Sequence, residues 1–305
     1  MPGMWTHQFD RFVAPARGKP QLWRGALGVA LIALGYVAGF GLVIAALVVA
    51  LGQDEATAYL ATFETGGTPT LVVMFLAMFA VPLLAVIAAA KWLHQRSGRS
   101  LFGPHVLRDF VIACVIAALI YGILGLALPV PFVPVPNVPP SLFLSFLPVA
   151  LVAIAIQTGA EELAFRGYLQ QQLAARFRTP LVWMLVPSVA FGLLHVDPSA
   201  GWGQAWTALP PTLFGLIAAD LTRITGSIGM AWGLHFLNNC SAILLISLKG
   251  NLSGLALYTT PFGAESLSLG DPLIWQEMLI TVIVWVCLRL WLARRSPPAR
   301  HMTEA

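Results

Sequence analysis

Residues Ser141–Gln172 read SLFLSFLPVALVAIAIQTGAEELAFRGYLQQQ. About 20 mainly apolar residues suffice to cross a bilayer, and this run exceeds that length. Near its middle it nevertheless carries Glu161, Glu162 and Arg166. The stretch reads as a transmembrane helix whose charges need an explanation.

The rest of the chain repeats the apolar pattern. Its 305 residues are 58% hydrophobic and 10% charged, far from the roughly 25% charged residues of soluble domains. Candidate spans are Gly25–Gly52, Thr70–Lys91, Asp109–Leu128, Ser141–Gln172, Leu181–Val196, Trp206–Leu221, Gly229–Leu248 and Pro272–Leu292, about eight in all. The expected fold is therefore an all-α, polytopic integral membrane protein. With both termini cytoplasmic, every one of the 17 lysines and arginines except Lys249 falls on the cytoplasmic side or in the cytoplasmic half of a span, as basic residues near span ends do. Asp54, Glu55, Glu64, Asp197, Glu265 and Asp271 fall on the outer side.

Between the third and fourth spans, Pro129–Pro140 (PVPFVPVPNVPP) suits an extended, polyproline-like spacer. The first span is too long for a signal peptide's apolar core and is read as retained. Cys114, Cys240 and Cys287 lie inside apolar runs and suggest neither a disulfide framework nor a zinc site. No phosphate loop or nucleic-acid motif appears, so nucleic acid is not an expected partner. The expected surroundings are the lipid bilayer.

A charge at the bilayer centre costs about 2.5 to 3.5 kcal/mol on insertion scales, so such groups face the bundle interior and pair, or line a wet cavity. Glu162 and Arg166 are four apart and share a helix face, which predicts an intrahelical ion pair. Glu161 points about 100° away and lacks that partner. His195 in the fifth span, and His235 and Asn239 four apart in the seventh, are the other polar groups at depth. From about 1.5 Å of rise per residue, Glu161, His195, His235 and Asn239 lie roughly 9 to 21 Å from the cytoplasmic ends of their spans. They are able to meet near mid-bilayer. A carboxylate and an imidazole converging there can deprotonate a water, while a second imidazole and an amide can donate to an oxyanion.

Three stretches now resemble a known family. Glu161–Gly167 (EELAFRG) is similar to the EExxxR motif, Phe191–His195 (FGLLH) to the FxxxH motif, and His235–Asn239 (HFLNN) to the HxxxN motif of the CPBP family. These are the CAAX-processing and bacteriocin-processing membrane proteases that include the Ras-converting type II CAAX prenyl endopeptidases. The resemblance covers about 147–248. It implies eight helices and glutamic intramembrane endopeptidase activity on a membrane-associated peptide. It also implies that Glu161 activates water with help from His195, that His235 and Asn239 form the oxyanion hole, and that Glu162 and Arg166 give structural support.

The chain then divides into a cytoplasmic segment 1–24, three spans over 25–140, a catalytic core of four spans over 141–248, an outer loop and last span over 249–295, and a disordered tail over 296–305. The source membrane is expected to be a bacterial plasma membrane. No cofactor is expected. A zinc metalloprotease using the same four residues is the rival enzyme, and a peptide-resistance protein or transporter is the rival from another class. Asp220 and Arg223 are read as a surface pair or interface anchor, Cys240 as a packing residue, and His7, His94, His105 and His301 as solvated.

Overall fold

The computed structural model describes residues 5–197, 202–250 and 252–295. A short helix α1 (His7–Val13) precedes α2 (Leu22–Leu51), α3 (Pro69–Leu93), α4 (Val106–Ala127), α5 (Pro140–Arg176), α6 (Leu181–Leu193), α7 (Leu209–Thr225), α8 (Gly229–Cys240) and α9 (Pro272–Arg295). Each expected apolar segment is thus mainly helical, although the seventh, expected to run to Leu248, leaves the helix after Leu245 and enters a strand. The five stretches Leu22–Leu51, Pro69–Leu93, Gly98–Ala127, Pro140–Arg176 and Pro272–Arg295 are long and apolar enough to cross a membrane. The protein is an α-helical integral membrane protein. Its outward faces agree: Val37 is 71% exposed, Leu119 60% and Leu126 93%, a surface that suits lipid better than water.

Sequence decides where the helices bend and touch. Pro82 lacks the N–H that would bond the carbonyl four residues back, and α3 breaks at 78–79. In α2, Gly28, Ile32, Gly35, Gly39, Val43 and Leu47 recur every three or four residues and form its buried stripe. α8 lies against α4 through two glycines one turn apart: a Cβ on Gly229 would sit 2.3 Å from the Val106 carbonyl oxygen, and one on Gly233 2.3 Å from that of Phe110. Small residues at this spacing let backbones approach in lipid, where packing rather than hydrophobicity drives association.

Of the expected 1–24 segment, residues 5–24 are folded against the bundle. Thr6 caps α1 by accepting from the Phe9 amide (3.0 Å) and donates to the Arg223 carbonyl (2.6 Å). Phe9 is fully buried on Trp183, ring centroids 4.7 Å apart.

At the opposite end, three short strands cover the bundle: β1 (Val135–Pro136), β2 (Ile246–Lys249) and β3 (Tyr258–Gly263), in the order β1-β3-β2. β1 pairs antiparallel to β3 with Val135 opposite Thr259, and β2 runs parallel to β3 with Ile246 opposite Tyr258. The proline-rich connection is therefore extended, as expected, but it is paired rather than a free spacer. Asn137 fixes it by donating from Nδ2 to the carbonyls of Ser253 (2.7 Å) and Ala256 (2.9 Å).

Two other readings change. His94 is 5% exposed, not solvated: its ring nitrogens bond the Lys19 carbonyl (2.9 Å) and the Tyr168 hydroxyl (2.8 Å). A histidine at a span end looks like a loop residue until the neighbouring helices close over it. The expected pair Asp220–Arg223 forms at 2.6 Å, but it is buried rather than on the surface. Asp220 also accepts from Trp285 (3.0 Å) and Arg289 (2.6 Å), which bolts α7 to α9. His7 and His105 are exposed, as expected. His301 and the tail over 296–305 lie outside the described residues.

Candidate active site

The site is built on α5, which changes winding where the charges begin. α-helical pitch runs to Glu162, and a π-helical stretch follows over Leu163–Gln170. Such widened turns are rare and frequently mark functional sites. Here the stretch holds Arg166 with its guanidinium turned back on Glu162.

Glu162 is fully buried and Arg166 is 2% exposed; their ion pair, Nη1 to Oε1, is 3.0 Å long. A further donor and the flat face of Arg166 are also engaged. Nη2 donates to the Gly215 carbonyl on α7 (3.3 Å), and the guanidinium lies 5.0 Å from the Phe191 ring centroid and 5.7 Å from that of Phe214. A buried charge with this many partners is held by the fold and not free to react.

His235 on α8 reaches into this pair. Its Nδ1 is 2.9 Å from Glu162 Oε1, and its Nε2 is 3.5 Å from Glu161 Oε2. The ring is 5% exposed and stands between the two glutamates, with Phe191 and Phe214 packed beside it at centroid distances of 5.8 and 4.8 Å. The first contact is a hydrogen bond; the second is too long to be a strong one. Glu161 is 12% exposed, and among the described residues its Oε2 accepts no hydrogen bond. Glu162 Oε2 also lacks a hydrogen-bond partner among the described residues, but its Oε1 is held by Arg166 and His235; Glu161, partly buried, is the glutamate without an arginine partner among them.

Asn239 stands one turn beyond His235 on α8. Its Nδ2 donates to Gln157 Oε1 at 2.8 Å, and Gln157 is 6% exposed on α5, one turn before Glu161. Sequence reasoning missed Gln157. The available signal was its spacing of four from Glu161, which places both on one face of the helix. One Asn239 amide hydrogen is committed to Gln157, so the second is left to donate elsewhere.

His195 lies just past the end of α6 and is exposed. Its Nδ1 is 2.8 Å from the Phe191 carbonyl oxygen, and its ring is 4.7 Å from the Phe191 ring. Phe191 is therefore in ring contact with both histidines. The structure brings Glu161, Glu162, Arg166 and His235 together, sets Asn239 on Gln157 beside them, and places His195 at the margin, across Phe191. Cys240 packs among apolar residues of α5 and α8. Among the described residues, no group of three His, Cys, Asp or Glu side chains is arranged to hold a metal ion.

Fold and site together define a membrane protein with a carboxylate–imidazole cluster inside its helical bundle. Residues 139–241 match the family model described as type II CAAX prenyl endopeptidase Rce1-like, so the likeness read from the three motifs holds over this segment, and the family is one of proteases. The chain is also 32% identical over 162 residues to the uncharacterized protein YyaK of Bacillus subtilis (strain 168), a match that covers 51% of this chain and 51% of that protein. The chain thus spans about half the length of the curated relative it matches. No solved structure matches the chain.

Proposed function

We propose that the protein is an intramembrane endopeptidase that hydrolyses a peptide bond near the carboxyl end of a lipidated or membrane-embedded peptide. The observation that carries this reading is His235 held between the buried Glu162, which is paired with Arg166, and the partly buried Glu161, which has no arginine partner among the described residues.

The donors and acceptors set the roles. Glu162, paired with Arg166, can only accept, so His235 donates to it from Nδ1. For Nε2 also to donate, the ring must carry a positive charge. Two carboxylates, one guanidinium and one imidazolium then sum to zero, a neutral cluster suited to a low-dielectric interior. Glu161 takes a proton from water, with His195 assisting through Nε2 while Nδ1 is held by Phe191. The water oxygen bonds to the scissile carbonyl carbon. The carbonyl oxygen becomes the oxyanion and is stabilised by His235 Nε2–H and the free Asn239 amide hydrogen, donors that are positioned before the reaction. Glu161 then delivers the proton to the departing amine as the C–N bond breaks. No metal takes part in this scheme. The chain sits in a bacterial plasma membrane with its basic side cytoplasmic, and the site is reached from that side or from the bilayer.

The test is cleavage in ¹⁸O-labelled water. Protein in proteoliposomes is given membrane peptides, with and without a metal chelator. The expected result is one ¹⁸O in each new carboxyl terminus and an unchanged rate with chelator. Loss of cleavage in chelator with recovery on adding zinc overturns the metal-free scheme. Absence of any cleaved peptide, with peptide retained on the protein, favours a resistance or transport role instead.

A further inference from the structure

Away from the glutamates, the start of α2 and the last turns of α5 enclose a groove of about 300 Å³, the lower end of the size range of small-molecule sites. Leu22, Ala26 and Val29 form one wall, and Leu169 and Leu173 the other. Leu22 and Val29 are 53% and 44% exposed, so the groove opens on the lipid-facing surface of the bundle. Gly25 gives it depth: a Cβ built there would meet nothing within 4 Å.

The lining has one polar feature that the fold does not use. Gln172 is 6% exposed, lines the groove, and its Nε2 has no hydrogen-bond partner among the described residues. A buried amide donor left unpaired costs on the order of 1 to 3 kcal/mol. It therefore points to an acceptor that arrives from outside the chain. The charges beside the groove have one sign. Lys19 and Arg24 bracket the lining segment Pro20–Leu22. Arg24 stacks on Trp23 at 4.4 Å, and its Nε also lacks a partner. Trp23 itself is 56% exposed, as suits an aromatic side chain at a membrane interface.

We propose that this groove is a binding site for an anionic phospholipid of the leaflet on the basic side. One acyl chain lies between the Leu22–Val29 and Leu169–Leu173 walls. An ester carbonyl of the lipid accepts from Gln172 Nε2, and the phosphate sits by Lys19 and Arg24. An apolar chain alone would satisfy the walls but not Gln172, and a free anion would satisfy Gln172 but not the walls. Only a molecule with an apolar chain, a carbonyl and a negative head in that order uses all three. Because α2 and α5 form the two walls, the lipid joins the first long helix to the one that carries Glu161. The proposal does not depend on peptide hydrolysis.

The test uses the full chain in detergent with vesicle-derived phosphatidylglycerol or phosphatidylcholine, read by native mass spectrometry. Wild-type protein is expected to retain phosphatidylglycerol at least about fivefold over phosphatidylcholine. Gly25→Leu, which fills the groove, and Gln172→Met, which keeps its volume and removes the amide, are each expected to abolish the preference while the protein remains folded by circular dichroism. Equal retention of the two lipids by wild type overturns the proposal. So does an unchanged preference in Gly25→Leu.

Discussion

At the residue scale, the site separates side chains that carry charge for the fold from those with capacity to spare. Arg166 is held by Glu162, Gly215 and three aromatic rings, whereas Glu161 has no arginine partner among the described residues. Arg166→Leu leaves the buried Glu162 with His235 as its remaining partner, and breaking one half of a buried pair costs about 3 to 5 kcal/mol. A large fall in thermal midpoint in detergent is expected, and it should be visible even where cleavage is not assayed. Gln157→Leu removes the partner of Asn239 and leaves the fold intact. It is expected to lower the cleavage rate about tenfold with little effect on substrate affinity, and Gln157→Glu, which still accepts, should restore part of it.

The charged members of this cluster were legible in sequence, because a carboxylate in a span is costly and spacing alone separates the paired glutamate from the unpaired one. Gln157 was not. A single amide in an apolar helix looks the same whether it glues two helices or aims an asparagine. His195 was legible as a polar group in an apolar run, but α6 ends at Leu193, so its place at the helix margin was not.

At the element scale, α8 approaches α4 only because Gly229 and Gly233 lack side chains. Gly233→Val would drive the helices apart and carry His235, two residues on, out of reach of both glutamates. The expected result is loss of cleavage together with loss of thermal stability. Gly25 on α2, where a Cβ would meet nothing within 4 Å, is expected to tolerate leucine. Comparing the two separates a glycine that is needed for packing from one that is not. The close pairing of α8 and α4 could be suspected from the four-residue spacing of the glycines, but the partner helix could not, since spacing names a face and not its neighbour.

His94, just beyond α3, supplies the pH dependence of this layer. Burial holds its ring below the ordinary histidine value. The unfolded chain therefore takes up a proton near pH 6.5 that the folded chain refuses. Its contribution to stability is complete above that pH and is lost as the pH falls below it. A thermal midpoint measured from pH 7.5 to pH 5 is expected to fall, and in His94→Gln the fall should be smaller.

At the scale of the whole molecule, the helices, the paired connection at one end and the folded residues 5–24 at the other enclose a polar cluster that none of them could hold alone. The apolar runs announced the helices, and their exposed faces match a lipid solvent. The three-stranded cover was not legible, because β1 is two residues of a proline-rich connection that donates few backbone hydrogen bonds and reads as a loop until β3 is beside it. The burial of Asp220 was hidden for a related reason: its partners Trp285 and Arg289 are far away in sequence and become visible only when α9 closes against α7.

The central claim is that Glu161 is the base of a hydrolysis carried out inside this bundle. Glu161→Gln keeps the shape of the side chain and removes its capacity to take a proton, an effect worth about 10² to 10⁴ in rate for a general base. The decisive measurement is the single-turnover rate of membrane-peptide cleavage by wild type and Glu161→Gln in the same proteoliposomes, with insertion and thermal midpoint matched. A fall of at least about a hundredfold is predicted; cleavage by Glu161→Gln at the wild-type rate would contradict the account.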